Sequence, residues 1–186
     1  METLDLMQRA FASTGGRIAK VTPADLSTKT PCSEWDVRAL LDHAIGVVAG
    51  FVAAASRTPA SDPNEHDFVG DDPSAAYDQA AKAALHAWSQ PGALDGTVTL
   101  RFGELPAPVA ASINVVDTLV HGWDLSKALG QDATLDPELA TEALERVRAF
   151  LPADFRGPGK PFGAEVRVPA DASPSDQLVA FLGRQP

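Results

Sequence analysis

The sequence has little cysteine and few basic residues. Cys32 is the single cysteine among 186 residues, which excludes an internal disulfide and a thiolate-rich metal site. Fifteen Lys and Arg against 25 Asp and Glu give a formal net charge of −10. That sign is wrong for a chain that neutralises the phosphates of nucleic acid or an anionic lipid surface. We therefore expect neither a nucleic-acid partner nor a membrane partner.

Long apolar runs and an export signal are also missing. No run approaches the roughly 18 apolar residues that a membrane span requires. The first residues, Met-Glu-Thr-Leu-Asp, contain neither the basic nor the apolar part of a secretory signal. The composition, with 45% apolar and 22% charged residues, is typical of a globular protein with a sizeable core. The sequence thus predicts one cytoplasmic domain over residues 1–186.

Helical periodicity dominates the chain and predicts a mainly all-α fold. Long helices joined by short connections favour a four-helix bundle, and alternation over 97–102 predicts a short strand or half of a hairpin. Capping residues and apolar spacing place the helices. The first predicted helix covers 4–18, with a break at Gly15–Gly16, and the second runs from the Ser33 cap to about Ala55. The third covers 73–89, and the fourth covers about 108–129 with Gly130 as its cap. The fifth covers 137–151, and a short last helix runs from Ser173 to Gly183.

His43 lies on an apolar face of the second predicted helix. A lone histidine there is more often a core residue bonded to a backbone carbonyl than a ligand. Gly46 and Gly50 lie three and seven residues further on, and each costs helix stability unless something must approach closely. These glycines favour a functional interpretation only slightly.

Helix four carries Asp117 and His121, which are four residues apart and so stand one turn apart on the same face. A carboxylate and an imidazole at this spacing can chelate one divalent ion. Asn114 and Asp124 fall on the same stripe and are candidates for supporting hydrogen bonds. The alternative is that the four residues form the solvated face of an amphipathic helix.

Cys32 precedes the start of helix two. A helix dipole lowers the pKa of a thiol at that end. With no second cysteine and no obvious base, a small packed residue is the favoured interpretation.

Two separated motifs resemble a known family. The segment from Thr30 to His43, TPCSEWDVRALLDH, is similar to the T-P-C-x-x-W-x-V-x-x-L-x-x-H signature of actinobacterial DinB-like metal-binding proteins. These proteins are related to the N-terminal domain of mycothiol-dependent maleylpyruvate isomerase. Residues 121–125, HGWDL, resemble the second motif of the family, and the segment 168–184 resembles its ending. The resemblance spans about 30–186, and helix one fits the usual start.

The resemblance implies an up-and-down four-helix bundle of the DinB/YfiT type. It also implies a divalent metal, zinc or nickel, held by His43, Asp117 and His121, with positions left open for water or a thiolate. Helices that approach one ion need room, which would explain the glycines after His43. Two departures stand out: the isomerase typically has Glu at the position of Asp117, and it carries a second, C-terminal domain that we do not expect here.

The favoured hypothesis is a metal-dependent enzyme that works with a small-molecule thiol, mycothiol in the related isomerase. The metal would activate a thiolate that attacks an electrophilic substrate, giving an S-transferase or an isomerase. Asp124 or Asn114 would orient His121, and Trp35 or Trp123 would wall the pocket. No residue is assigned a catalytic role.

Two alternatives from other classes stay open: a metal-binding stress or sensor protein without turnover, and a metal-dependent hydrolase that uses metal-bound water. An enzyme acting on an anionic substrate needs a cationic anchor, for which Arg101, Arg156 and Lys160 are the candidates. A homodimer is compatible with a helical bundle, although no apolar stripe predicts one.

Overall fold

The computed structural model describes residues 1–32, 34–60, 67–152, 155–157 and 162–186. Over these residues the protein is mainly α-helical, with one short 3-10 turn at Pro23–Asp25 and one antiparallel hairpin, which confirms the predicted fold class. The elements are α1 (Thr3–Ile18), α2 (Val37–Ala55), α3 (Pro73–Trp88), β1 (Thr97–Leu100), β2 (Gly103–Pro106), α4 (Ala107–Ala128), α5 (Pro137–Phe150) and α6 (Pro174–Phe181).

The chain divides into two compact units, Met1–Ala133 and Thr134–Pro186. In the first unit α4 packs against α1 and α2, and α3 packs against the same two helices, so α1–α4 form the predicted four-helix bundle. In the second unit α5 packs against α6. The expectation of one domain over 1–186 remains a prediction.

Helix α2 begins later than the sequence predicted. Its cap is Asp36, whose Oδ1 accepts a hydrogen bond from the backbone N of Ala39 at 2.9 Å. Before this point the chain is extended, because Asp36 forms a β-bridge with Lys29. An extended residue cannot continue a helix toward its N-terminus, so the predicted start at Ser33 was wrong. Ser33 itself lies outside the described residues.

Helix α2 is long and apolar. By length and composition alone, Val37–Ala55 is able to cross a membrane, although Arg38, Asp42 and His43 interrupt its apolar run. This is weak evidence, because the core helix of a bundle passes the same test. In the structure α2 packs against both α3 and α4.

Helix α1 continues through Gly15 and Gly16, where the sequence predicted a break. A Cβ at Gly15 would lie 3.5 Å from the ring of Tyr77 in α3, so this glycine occupies a helix–helix contact. Leu6 and Met7 of the same helix are fully buried. The free energy gained from this packing outweighs the penalty of about 1 kcal/mol that a glycine imposes on a helix.

The other predicted boundaries agree with the structure to within two residues. Asp72, Asp136 and Ser173 cap α3, α5 and α6 through their side chains. Gly130, just after α4, has the positive φ of 62° that a helix-ending glycine adopts. The predicted half-hairpin is a complete one, with Thr97 paired with Pro106 and Leu100 with Gly103.

Candidate metal centre

Helix α4 is buried on every side, which determines where its polar residues lie. Asp124 is fully buried, Asn114 is 1% exposed and His121 is 8% exposed. The apolar residues of the opposite side are buried as well. A solvated amphipathic face is therefore the wrong interpretation of these side chains, and their polar atoms must find partners inside the protein or a ligand.

The three predicted metal ligands lie together. His43 projects from α2, and Asp117 and His121 project from α4. One ligand atom from each lies within 4.8 Å of the other two. The distance from Nε2 of His121 to Oδ1 of Asp117 is 3.5 Å. Two imidazole nitrogens and one carboxylate oxygen are a ligand set that suits zinc and nickel.

Trp35 lies against both imidazoles. Its ring centroid is 4.4 Å from that of His43 and 6.0 Å from that of His121. The two imidazole rings are 5.0 Å apart and nearly perpendicular, at 83°. Of the two predicted pocket walls, the structure therefore brings Trp35 to the histidines.

Trp123 occupies another environment. It is two residues after His121, about 200° around the helix, and it is buried. The ammonium of Lys127 lies 5.2 Å from its ring centroid. The structure gives Trp123 a packing role and does not place its ring beside the imidazoles.

Of the two residues predicted to orient His121, Asp124 is the one that contacts its ring. Its Oδ2 is 3.1 Å from Nδ1 of His121, on the opposite side of the ring from Nε2, which lies 3.5 Å from Oδ1 of Asp117. The other candidate, Asn114, makes no side-chain hydrogen bond within the described residues. The thiol of Cys32 lies 3.5 Å from the same Oδ2. Cys32 and Asp124 are 92 residues apart in the sequence, so no local pattern could predict this contact.

The two histidines have opposite electrostatic environments. Burial lowers the pKa of His43; the negative charge of Asp117 opposes this effect, and the positive charges of His121 and Arg101 add to it. Burial also acts to lower the pKa of His121, but the charge of Asp117 and the hydrogen bonds to Asp117 and Asp124 raise it well above the usual value. His43 is therefore held in the neutral form that binds a metal ion, whereas His121 must release a proton when it binds one.

Of the three cationic candidates, the structure associates Arg101 with the site. Arg101 is exposed at the turn of the β1–β2 hairpin, β1 packs against α2, and its charge acts on His43. Arg156 belongs to the second unit, where its guanidinium lies 3.8 Å from the ring centroid of Phe181. Lys160 lies outside the described residues.

The glycines after His43 serve a purpose other than the expected one. A Cβ at Gly46 would meet the ring of Phe68 at 2.9 Å, and one at Gly50 would meet nothing within 4 Å. Neither makes room for an ion. The close helix approach occurs at Gly122, where a Cβ would collide with the side chain of Thr14. No sequence pattern indicated this contact, although Gly122 lies within the second motif.

Residues 7–126 match the family of the mycothiol maleylpyruvate isomerase N-terminal domain. The chain belongs to this family. It is also 40% identical, over 99% of its length and 98% of theirs, to two Mycobacterium tuberculosis proteins: the uncharacterized protein Rv0738 of strain ATCC 25618 / H37Rv and the uncharacterized protein MT0763 of strain CDC 1551 / Oshkosh.

Among solved structures, the chain is similar to mycothiol-dependent maleylpyruvate isomerase and to a histidine-to-alanine variant of that enzyme. The TM-score is 0.62 at 19% identity, and the match covers 77% of this chain and 66% of the isomerase. This confirms the DinB-like helical fold. The chain spans slightly less than two thirds of the isomerase, so the likeness by itself transfers no activity.

Proposed function

We propose that the protein binds a divalent metal ion through His43, Asp117 and His121 and uses it in a thiol-dependent transferase or isomerase reaction. The supporting observation is the convergence of three ligand atoms, from α2 and α4, within 4.8 Å of one another. In the sequence His43 is more than 70 positions from the other two, so folding creates this cluster.

The residues present fit a transition-metal ion. Two ligands are imidazoles and one is a carboxylate, which suits zinc or nickel better than magnesium or calcium. Asp124 supplies the carboxylate–histidine contact that typically fixes a ligating imidazole. Three protein ligands leave coordination positions for a further molecule, as in catalytic sites.

The proposed cosubstrate is a small thiol, with mycothiol favoured because the chain's family and its structural neighbour are named for it. A bound divalent ion would supply a Lewis acid that lowers the pKa of the thiol. Asp117, at 25% side-chain exposure, lies where the site meets solvent. Trp35 packs against the imidazoles on one side of the site.

The second substrate is an electrophile, and Arg101 is its proposed anchor when it carries a carboxylate. In an S-transfer the thiol sulfur forms a new bond to the electrophilic carbon, the bond from that carbon to its leaving group breaks, and the thiol proton passes to the leaving group. In an addition–elimination isomerisation the same bond forms and then breaks, so the thiol is regenerated. A cytoplasmic location and a homodimer remain predictions.

Metal content tests this proposal most directly. Protein without a histidine tag would be analysed by mass spectrometry beside His43→Ala and His121→Ala, with His86→Ala as the matched control on an exposed histidine of α3. We expect near-stoichiometric metal in the wild type and the control, and its loss in both site variants. Absence of metal after incubation with zinc or nickel would contradict the proposal.

Thiol use needs a separate measurement. In cobalt-substituted protein, mycothiol should change the visible spectrum while an equal concentration of its S-methylated form should not. A spectrum that responds to neither compound, in protein that retains the metal, would favour the hydrolase or the sensor over the thiol-dependent enzyme.

A further inference from the structure

His121 presents its two ring nitrogens to two different sets of residues. Nε2 faces Asp117 at 3.5 Å, on the side of His43. Nδ1 faces Asp124 at 3.1 Å, and Cys32 Sγ lies 3.5 Å from the same carboxylate oxygen. One ligand atom each from Cys32, His121 and Asp124 lies within 4.8 Å of the other two. This second ligand set does not use His43 or Asp117.

The turn before α2 fixes the position of Cys32. The backbone O of Cys32 accepts hydrogen bonds from Trp35 N at 2.8 Å and from Thr30 Oγ1 at 3.1 Å, and Cys32 N donates to Thr30 Oγ1 at 3.2 Å. These bonds hold the residue on both sides. The thiol is thus directed at the buried Asp124 by a structured turn.

We propose that Cys32, Asp124 and Nδ1 of His121 form a second metal position, one that takes a soft divalent ion such as Cd²⁺. Ligand atoms ~2.0–2.3 Å from a tetrahedral zinc ion stand about 3.3–3.8 Å from each other. The observed separations are 3.1 and 3.5 Å, so the larger Cd²⁺ requires the three side chains to move slightly apart. Thiolate is a soft ligand, which distinguishes this set from the imidazole–carboxylate set across the ring.

Charge balance also favours an ion at this position. The carboxylate of Asp124 is fully buried, so an added charge there is costly unless it is compensated. A bound divalent cation compensates the charge of this carboxylate, and the thiolate that Cys32 supplies offsets the remaining positive charge.

Occupation of this position has a consequence for the metal centre described above. A neutral imidazole has one nitrogen lone pair, and its other nitrogen carries the proton. An ion on Nδ1 of His121 therefore leaves Nε2 protonated and unable to bind a second ion. The protein therefore binds an ion either at the position of Cys32 and Asp124 or at the position of His43 and Asp117, but not at both at once.

The test is a Cd²⁺ titration of metal-free protein followed by the sulfur-to-cadmium charge-transfer absorption in the ultraviolet. Cys32 is the only cysteine in the chain, so this absorption reports that thiol alone. We expect the band to saturate at one ion per chain in the wild type, to be absent in Cys32→Ser, and to persist in His43→Ala. In Asp124→Asn the apparent affinity should fall at least tenfold.

His43→Ala separates this proposal from the proposed function, because it removes a ligand of the first position only. If only the first position is wrong, the protein lacks zinc but still shows the cadmium band. If only the second position is wrong, the protein binds stoichiometric zinc but shows no cadmium band. Equal Cd²⁺ affinity in Asp124→Asn and the wild type would show that the thiol binds alone and would overturn the second position. Binding of Cd²⁺ without the sulfur-to-cadmium absorption band would also overturn the second position. Circular dichroism of each variant confirms that it is folded.

Discussion

Nδ1 of His121 lies 3.1 Å from Oδ2 of Asp124, and Asp124 is fully buried. A buried carboxylate without a partner is costly, so this contact also contributes to the stability of the bundle. The other ring nitrogen of His121, Nε2, lies 3.5 Å from Oδ1 of Asp117. One residue pair therefore connects the packing of α4 to the geometry of the candidate metal centre.

Replacing Asp124 with Asn should weaken metal binding while leaving all three proposed ligands in place. The amide retains the size of the carboxylate but removes the charge that holds the imidazole proton. We expect a loss of about 10–100-fold in zinc affinity, measured by competition with a chromophoric chelator. Asp71→Asn, on an exposed carboxylate, is the control. Equal affinities in the two variants would show that Asp124 does not position His121.

Asp117 should tolerate a longer carboxylate better than a neutral amide. Asp117→Asn removes the anionic ligand, so we expect metal content to fall to the level of His43→Ala. Asp117→Glu keeps the carboxylate on an arm longer by one methylene, and we expect it to retain most of the metal. Metal analysis of both variants after identical purification checks this. Full metal retention in Asp117→Asn would remove Asp117 from the ligand set.

Local spacing predicted part of the site. Asp117 and His121 are four residues apart, which places them on one helix face whatever the rest of the fold is. His43 required the resemblance to a family, because spacing cannot show which helix packs against α4. The contact of Cys32 with Asp124 depends on how the turn at Thr30 folds over α4, and no local pattern encodes it.

The errors in the fold prediction have the same physical origin. A break at Gly15–Gly16 follows from helix propensity, yet packing against Tyr77 keeps α1 continuous. Ser33 has the side chain of a good cap, but the bridge between Lys29 and Asp36 moves the start of α2 to Val37. In both places tertiary contacts outweighed a local preference. Element types were predictable, and boundaries set by distant contacts were not.

Tyr77 provides a pH-dependent prediction with a direct optical signal. It is the only tyrosine in the chain. Burial raises the pKa of Tyr77 far above its usual value, and the negative charges of Asp117 and Asp78 act in the same direction. We therefore expect no tyrosinate absorbance from the folded protein at about pH 10, where the urea-unfolded chain is half ionised.

The sign of the effect on stability follows from this shift. Above a pH of about 10 the unfolded chain releases the Tyr77 proton and the folded protein does not, so the unfolded state gains stability. The contribution of Tyr77 to the free energy of unfolding is complete below that pH and declines as the pH rises toward the folded pKa. Urea unfolding across this range should show the decline in the wild type and a smaller one in Tyr77→Phe. Tyrosinate absorbance that appears in the folded protein at the same pH as in the unfolded chain would contradict the burial of Tyr77.

The contact between α1 and α4 at Gly122 should tolerate no side chain. An added Cβ would collide with Thr14, whose Oγ1 donates a hydrogen bond to the backbone O of Thr118 at 2.9 Å. Gly122→Ala should therefore lower the free energy of unfolding by about 1–3 kcal/mol. Gly50→Ala is the matched control, since its Cβ meets nothing within 4 Å in α2 and should stabilise the helix by about 0.5–1 kcal/mol.

A double variant shows whether the collision with Thr14 is the cause. Thr14→Ala removes the hydroxyl and methyl groups that the new Cβ would meet, at the cost of the hydrogen bond to Thr118. Combined with Gly122→Ala, its effect on the free energy of unfolding should be less than the sum of the two single effects, because the residues are in contact. If the two changes in the free energy of unfolding, measured with urea, are strictly additive, the collision with Thr14 is not the cause of the destabilisation by Gly122→Ala. Because His121 precedes Gly122, we also expect zinc affinity to fall in Gly122→Ala and to recover partly in the double variant.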